Sequence, residues 1–221
     1  MSIGGAMAVK QRSGPTAERL IEETLVLIAE RGGSQDVKLR EVSRRVGCAH
    51  TNVYNYFSSF EDLLWEAFRR TLQLYADHIV RDLDDSLRPA DYFRRLVTNL
   101  ASFPQENPGL YRFIGSDPID IDNIPGDILD TVSTVKKWLF DVFQVLCGPT
   151  VNPTDAAAFC NIAYGYIDGE TFNHINGRVV PGEDIPGRIV ANSVRLLRSL
   201  VGDAVEEAQT PGSYPALILE N

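Results

Sequence analysis

Apolar residues recur every three or four positions along nearly the whole chain, the spacing that gives a helix one buried face. Strand-type alternation is nearly absent, so the pattern predicts an all-α protein. A first helix opens near Thr16 and carries Ala17, Leu20, Ile21, Leu25 and Ile28 on one side, with Gly32-Gly33 as its terminator. A second, over about 39–45, buries Val42 and Val46. Gly47 turns the chain into a polar stub, H-T-N-V-Y-N-Y-F, whose apolar anchors are Val53 and Phe57. Ser58 or Ser59 then caps a long helix in which Leu64, Phe68, Leu72, Tyr75, Ile79 and Leu83 step by three and four.

Pro89, Pro104 and Pro108 punctuate the next stretch, which predicts a helix over about 91–103 and a shorter one near 110–115. D-P-I-D-I-D-N-I-P-G (117–126) reads as a solvated loop. Aligned as a calcium loop on Asp120 and Asp122, it puts Ile124 and Pro125 where a ligand and the required glycine belong. Three strongly patterned helices follow. One holds Ile128, Val132, Val135, Leu139, Val142 and Leu146; the next starts near Thr154 and runs to about 175; the last spans about 186–208. On that last helix Val190, Val194, Leu197, Val201, Ala204 and Ala208 form one apolar face, and Ile189, Leu196 and Leu200 another. Two apolar sides require two partners, one within the subunit and one beyond it. With Gly165 and Gly169 four apart on the preceding helix, the expectation is a homodimer through Gly165, Gly169, Val190, Val194, Leu197 and Val201. The C-terminal tail, P-G-S-Y-P-A-L-I-L-E-N, reads as extended.

Composition is ordinary for a folded chain, 44% hydrophobic and 23% charged. The first dozen residues lack the apolar core of a secretory signal, and no apolar run reaches membrane-spanning length. Cys48, Cys147 and Cys160 are scattered, which points to a reducing cytoplasm, and His50, His78 and His174 lie too far apart to suggest a metal site. Charge sharpens the picture: residues 1–57 carry eight Lys/Arg against six Asp/Glu, while the net charge of the whole chain is −9. A polyanion would meet the N-terminal end.

L-R-E-V-S-R-R-V-G-C-A-H-T-N-V-Y-N-Y-F has the length and patterning of a helix-turn-helix, in which one short helix braces a second that enters the DNA major groove. The second must be pinned by one or two apolar residues and present hydrogen-bonding side chains to base edges and phosphates. His50, Thr51, Asn52, Tyr54, Asn55 and Tyr56 supply them, and Lys38 and Arg40 offer cations from the bracing helix.

Over about 15–65 the sequence resembles the TetR/AcrR-type transcriptional regulators, whose pattern there is close to small-x-[GP]-[TAN]-[LVI]-Y-x-[HY]-F-x-x-K-E-x-L-L. Here the stretch from Ala49 to Leu64 reads A-H-T-N-V-Y-N-Y-F-S-S-F-E-D-L-L, after V-S-R-R-V-G-C. Phe60 replaces the Lys that in the family contacts phosphate, and Thr51 replaces the usual Gly or Pro. The resemblance implies an N-terminal three-helix DNA-binding domain over 15–60, after a flexible tail at 1–14, and a helical ligand-binding and dimerisation domain over 61–221. It implies that Arg40 meets backbone or a base edge and that His50, Thr51 and Asn55 read bases. Tyr54 and Tyr56 would bond phosphates, and Asn52 would fix the helix on the backbone.

The expected function is therefore a cytoplasmic, dimeric regulator, a repressor by resemblance, released from a palindromic operator by a small-molecule effector. Aromatic and polar groups on the body helices, Tyr111, Phe113, Trp138, Tyr164, Phe172 and His174, are the candidate effector pocket. No cofactor is called for, and no catalytic motif such as G-x-S-x-G, H-E-x-x-H or a phosphate loop occurs. The rival reading is a helical ligand-binding or scaffold protein that has lost DNA binding.

Overall fold

A computed structural model of the protein describes residues 14–118, 123–149, 151–202 and 212–219. The expected tail, apart from Gly14, and the end of the last expected helix, with Ala204 and Ala208, lie outside them. The helices are α1 (Pro15–Arg31), α2 (Leu39–Val46), a 3₁₀ helix (His50–Asn55), α3 (Phe60–Ile79), α4 (Pro89–Glu106), α5 (Pro108–Gly115), α6 (Gly126–Cys147), α7 (Pro153–Ile175) and α8 (Ile185–Val201). No strand occurs among the described residues, and none of their helices is long and apolar enough to cross a membrane.

The helix ends follow local chemistry. Pro15, rather than Thr16, opens α1 from its first turn, because a missing N–H costs nothing there. Gly32 closes it at φ 73°, in the left-handed region. Ser59 Oγ accepts the N–H of Asp62 at 3.1 Å while the Asp62 carboxylate accepts the N–H of Ser58 at 2.7 Å, so each side chain satisfies a backbone donor at the start of α3. Asn152 and Asp184 cap α7 and α8 through the N–H groups of Asp155 and Gly187. Leu83 lies beyond α3, whose end is held by Asn99: its buried amide donates to the carbonyl of Ile79, the last residue of the helix, at 3.2 Å and to Arg81 O in the turn that follows at 2.7 Å.

The chain divides into two compact units. The first runs to Thr71 and takes in the stretch from Gly109 to Pro118; the second begins at Leu72 and resumes in the described residues from Asn123. The first unit is thus larger than residues 15–60, because α5 packs with the head. The Phe113 ring meets Phe68 edge-on at 5.4 Å, and a Cβ on Gly109 would lie 2.6 Å from Ile28 O. Around them Leu20, Leu27, Ile28, Val42, Val53, Phe57 and Leu63 are fully buried.

In the second unit α7 packs on α4, α6 and α8. Phe93, Phe143 and Phe159 form its aromatic centre, with Phe143 and Phe159 edge-to-face at 5.4 Å. The face of α8 turned to this core is Ile185, Ile189, Ser193 and Leu197. Leu197, 1% exposed, is therefore core rather than dimer surface; the heptad spacing alone could not say which of two apolar flanks turns inward.

Candidate nucleic-acid interface

α2 buries Val42, Ser43 and Val46 and leaves Lys38, Arg40 and Arg44 exposed. It ends at Gly47, whose φ of 82° suits a residue without a Cβ, and whose N–H returns to Ser43 O at 3.0 Å. Ala49 is extended, and the chain then coils into the 3₁₀ helix. The stub is a tight three-residue-per-turn coil rather than an α-helix, closed by Asn52 N–H to Ala49 O and Tyr56 N–H to Val53 O, both 2.9 Å. Val53 and Phe57 are each 0% exposed and pin it to the head.

That anchoring leaves the polar flank open. His50, Thr51, Asn52, Tyr54 and Asn55 are exposed and Tyr56 is half-buried. Lys38 sits at the N-cap of α2, and Arg40 lies one residue inside it. The eight expected DNA-contacting residues thus lie on or beside α2 and the stub, seven exposed and Tyr56 half-buried. The pattern did not single out Arg44, whose side chain is 75% exposed. It follows Arg40 by four residues, so the two share the helix face opposite Val42 and Val46; that spacing was the available signal.

Other cations of the head are engaged internally. Arg45 holds Glu30 through two guanidinium bonds, 2.5 and 3.1 Å, and Arg31 donates to Glu41 at 3.0 Å. The Arg45 hydrogen bond lowers the Glu30 pKa, against a smaller desolvation effect. These pairs tie α1 to α2; Lys38, which donates to Gln35 O at 3.4 Å, Arg40, and Arg44, 3.9 Å from Glu41, keep their side chains open to solvent.

The expected effector residues divide between the units. Tyr111 and Phe113 are buried in the first and so do not join the others in one compact body. Trp138 is buried in the second, with its indole N–H donating to Pro215 O at 2.7 Å. The Tyr164 hydroxyl is bonded to buried Tyr75, and burial, with Asp168 nearby, raises the pKa of both phenols. His174 is half-buried, with Nδ1 lacking a hydrogen-bond partner, and Phe172 is also half-buried. Of the expected dimer residues, Gly165 and Gly169 are exposed with open space around them, and Val190, Val194 and Val201 are half-buried. Cys147 and Cys160 are free and buried, which pushes both thiols up to about 11. No group of three or more His, Cys, Asp or Glu among the described residues could hold a metal ion.

Known proteins with this arrangement decide the fold. A TetR-family transcriptional regulator from Streptomyces coelicolor superposes with a TM-score of 0.65, covering 88% of this chain and 91% of that one at 16% identity. The chain has the TetR-type regulator fold. A second neighbour, the transcriptional regulator FadR from Bacillus subtilis in complex with stearoyl-CoA, gives a TM-score of 0.59 over 84% of this chain and 97% of that one, at 18% identity. In sequence, an uncharacterized HTH-type transcriptional regulator of Haemophilus influenzae is 22% identical over 135 residues, 61% of this chain and 69% of the relative. No family model matches the chain.

Proposed function

We propose that the protein is a DNA-binding transcriptional regulator that reads an operator with the exposed flank of the 3₁₀ stub. The observation that carries this reading is the division of labour within His50–Asn55 and its neighbour Phe57: Val53 and Phe57 are completely buried while five polar side chains remain open to solvent. His50, Thr51 and Asn55 contact base edges; Tyr54, Tyr56, Asn52, Lys38, Arg40 and Arg44 contact phosphate and fix the register. Two copies pair through the outer faces of α7 and α8, so that two stubs meet successive major grooves of a palindromic site about 34 Å apart. An apolar effector with a few polar groups binds the second unit beside Tyr164, Phe172 and His174 and favours a state that no longer fits the operator, making the protein a repressor. The chain passes between its units at 71–72 and 108–109, and again between the described residues 118 and 123, which gives such a signal covalent routes.

The test is fluorescence anisotropy on DNA flanking the protein's own gene, repeated across salt concentrations. Phosphate contacts give a steep salt dependence, and Arg40→Ala and Arg44→Ala each lower the slope by about one. Tyr54→Phe weakens binding without changing helix content. Binding that is insensitive to salt and to all three substitutions would leave the scaffold reading in its place.

A further inference from the structure

Residues 212–219 return to the second unit without regular secondary structure and lie in a groove lined by the turn after α3, the first turn of α4 and α6. The Tyr214 ring stacks on Tyr92 with centroids 3.7 Å apart and planes 22° from parallel. The Tyr214 N–H points to Asp85 Oδ1 at 3.4 Å, and Pro215 O accepts the Trp138 indole N–H. The segment neither joins a strand nor fills its groove. Ser213, Ala216 and Ile218 are exposed, and recesses of about 440 and about 760 Å³ remain along Tyr214 and Pro215. Lifting it away would uncover the faces of Tyr92 and Trp138, now 3% and 4% exposed, beside Val80 and Leu83.

We propose that this groove is a ligand site for an arylalkylammonium compound, and that residues 213–217 are its displaceable lid. The lid itself displays the recognition chemistry: an aromatic ring on Tyr92 and, one backbone atom from the ring-bearing side chain, an N–H directed to a carboxylate. An arylethylammonium carries ring and N–H at nearly the same separation. It adds the positive charge that a peptide N–H lacks, converting a long neutral contact at Asp85 into a charge-assisted one. Asp84 also lines the groove, and its hydrogen bonds from Ser86 hold its carboxyl below the ordinary range, so the site is anionic. Aromatic walls with a carboxylate rim are the surroundings that stabilise an organic cation. This site lies outside the DNA-reading surface, and the inference stands or falls apart from it.

Calorimetric titration of the full chain with tyramine, and with its neutral analogue tyrosol, tests the assignment. A closed lid reduces apparent affinity by the fraction of time the groove is open, so Tyr214→Ala, which removes the stacking ring, raises tyramine affinity roughly tenfold or more. Asp85→Asn, made alone and in the Tyr214→Ala background, abolishes the preference for tyramine over tyrosol. Circular dichroism establishes that both surface variants keep native helix content. Equal affinity in the native and Tyr214→Ala proteins, no saturable heat from either, or a tyramine preference that survives Asp85→Asn, each overturns the proposal.

Discussion

Asp117 Oδ2 accepts two hydrogen bonds from Ser34, one from its backbone N–H at 2.5 Å and one from its hydroxyl at 2.7 Å. The residues are 83 positions apart, and the contact fastens the chain after α5 to the turn after α1 within the first unit. Arg112 reinforces it by donating to Gly32 O at 3.3 Å. Gly33 gives the carboxylate room, since a Cβ there would lie 3.0 Å from Asp117. Removing Asp117 strands a partly buried N–H. Asp117→Ala should cost about 1–3 kcal/mol, read as a lower denaturation midpoint, with faster amide exchange at Ser34 as the local signature. A variant as stable as the native chain would show that the clasp contributes nothing.

Gly109 makes the other close approach. A Cβ would stand 2.6 Å from Ile28 O and 3.0 Å from Ala29 Cα, both backbone atoms that cannot rotate away. Gly109→Ala must therefore push α5 off α1, at about 1–3 kcal/mol by the usual cost of overpacking. The same substitution on an open helix would stabilise, so the sign of the change in melting temperature is itself the measurement. Stabilisation would mean that α5 does not sit against α1.

The helices were legible because buried faces recur at helical spacing, and the stub was legible because Val53 and Phe57 are its only large apolar residues. Its 3₁₀ form was not, since anchors four apart match the α-helical period, and Phe57 lies beyond the 3₁₀ helix, its N–H on Val53 O at 3.0 Å. That α5 belongs with the head could not be read either. It depends on Gly109, Phe113 and Asp117 meeting partners 45 to 83 residues away, and local periodicity carries no such information. Trp138 stood out as a pocket aromatic, yet its N–H is met by the carbonyl of Pro215, part of a tail whose pattern showed only that it was extended. Leu197 illustrates a third limit: when a helix is apolar on two flanks, sequence spacing identifies both and ranks neither.

His78 gives the second unit a pH response. Its Nε2 lies 2.8 Å from Ser102 Oγ, and burial lowers its pKa below the ordinary 6.5, with Arg81 acting in the same sense and Glu106 against it. The unfolded chain binds the proton more readily, so stability from this group is complete above pH 6.5 and is lost as pH falls from there through the folded-state pKa. Thermal melts between about pH 7.5 and about pH 5.5 should show a falling midpoint. His78→Gln, which keeps a donor for Ser102 but does not titrate, should flatten that slope. Glu30 does not confuse the result, because its lowered pKa makes its contribution fall away only below 4.5. A slope unchanged by His78→Gln would assign the pH response to other groups.

Gly165 and Gly169 separate the two uses a helix can make of missing side chains. Within one copy neither glycine is needed: each is exposed on α7, has no atom within 4 Å of a hypothetical Cβ, and does not adopt a positive φ. For an isolated subunit, alanine at either position should be neutral or stabilising by about 0.5–1 kcal/mol, because glycine loses more backbone freedom in a helix. If α7 meets a second copy there, the added methyl groups hold the backbones apart and weaken association. Sedimentation of the Gly165→Ala/Gly169→Ala variant should show a dimer dissociating at higher protein concentration than the native one, while the helical signal is retained. Val194→Glu on the neighbouring flank of α8 should dissociate it further, by desolvating a charge in the interface. A double-alanine variant that gains stability and sediments as native would move the pairing surface away from α7, since no contact inside the subunit gives these glycines a reason to resist substitution.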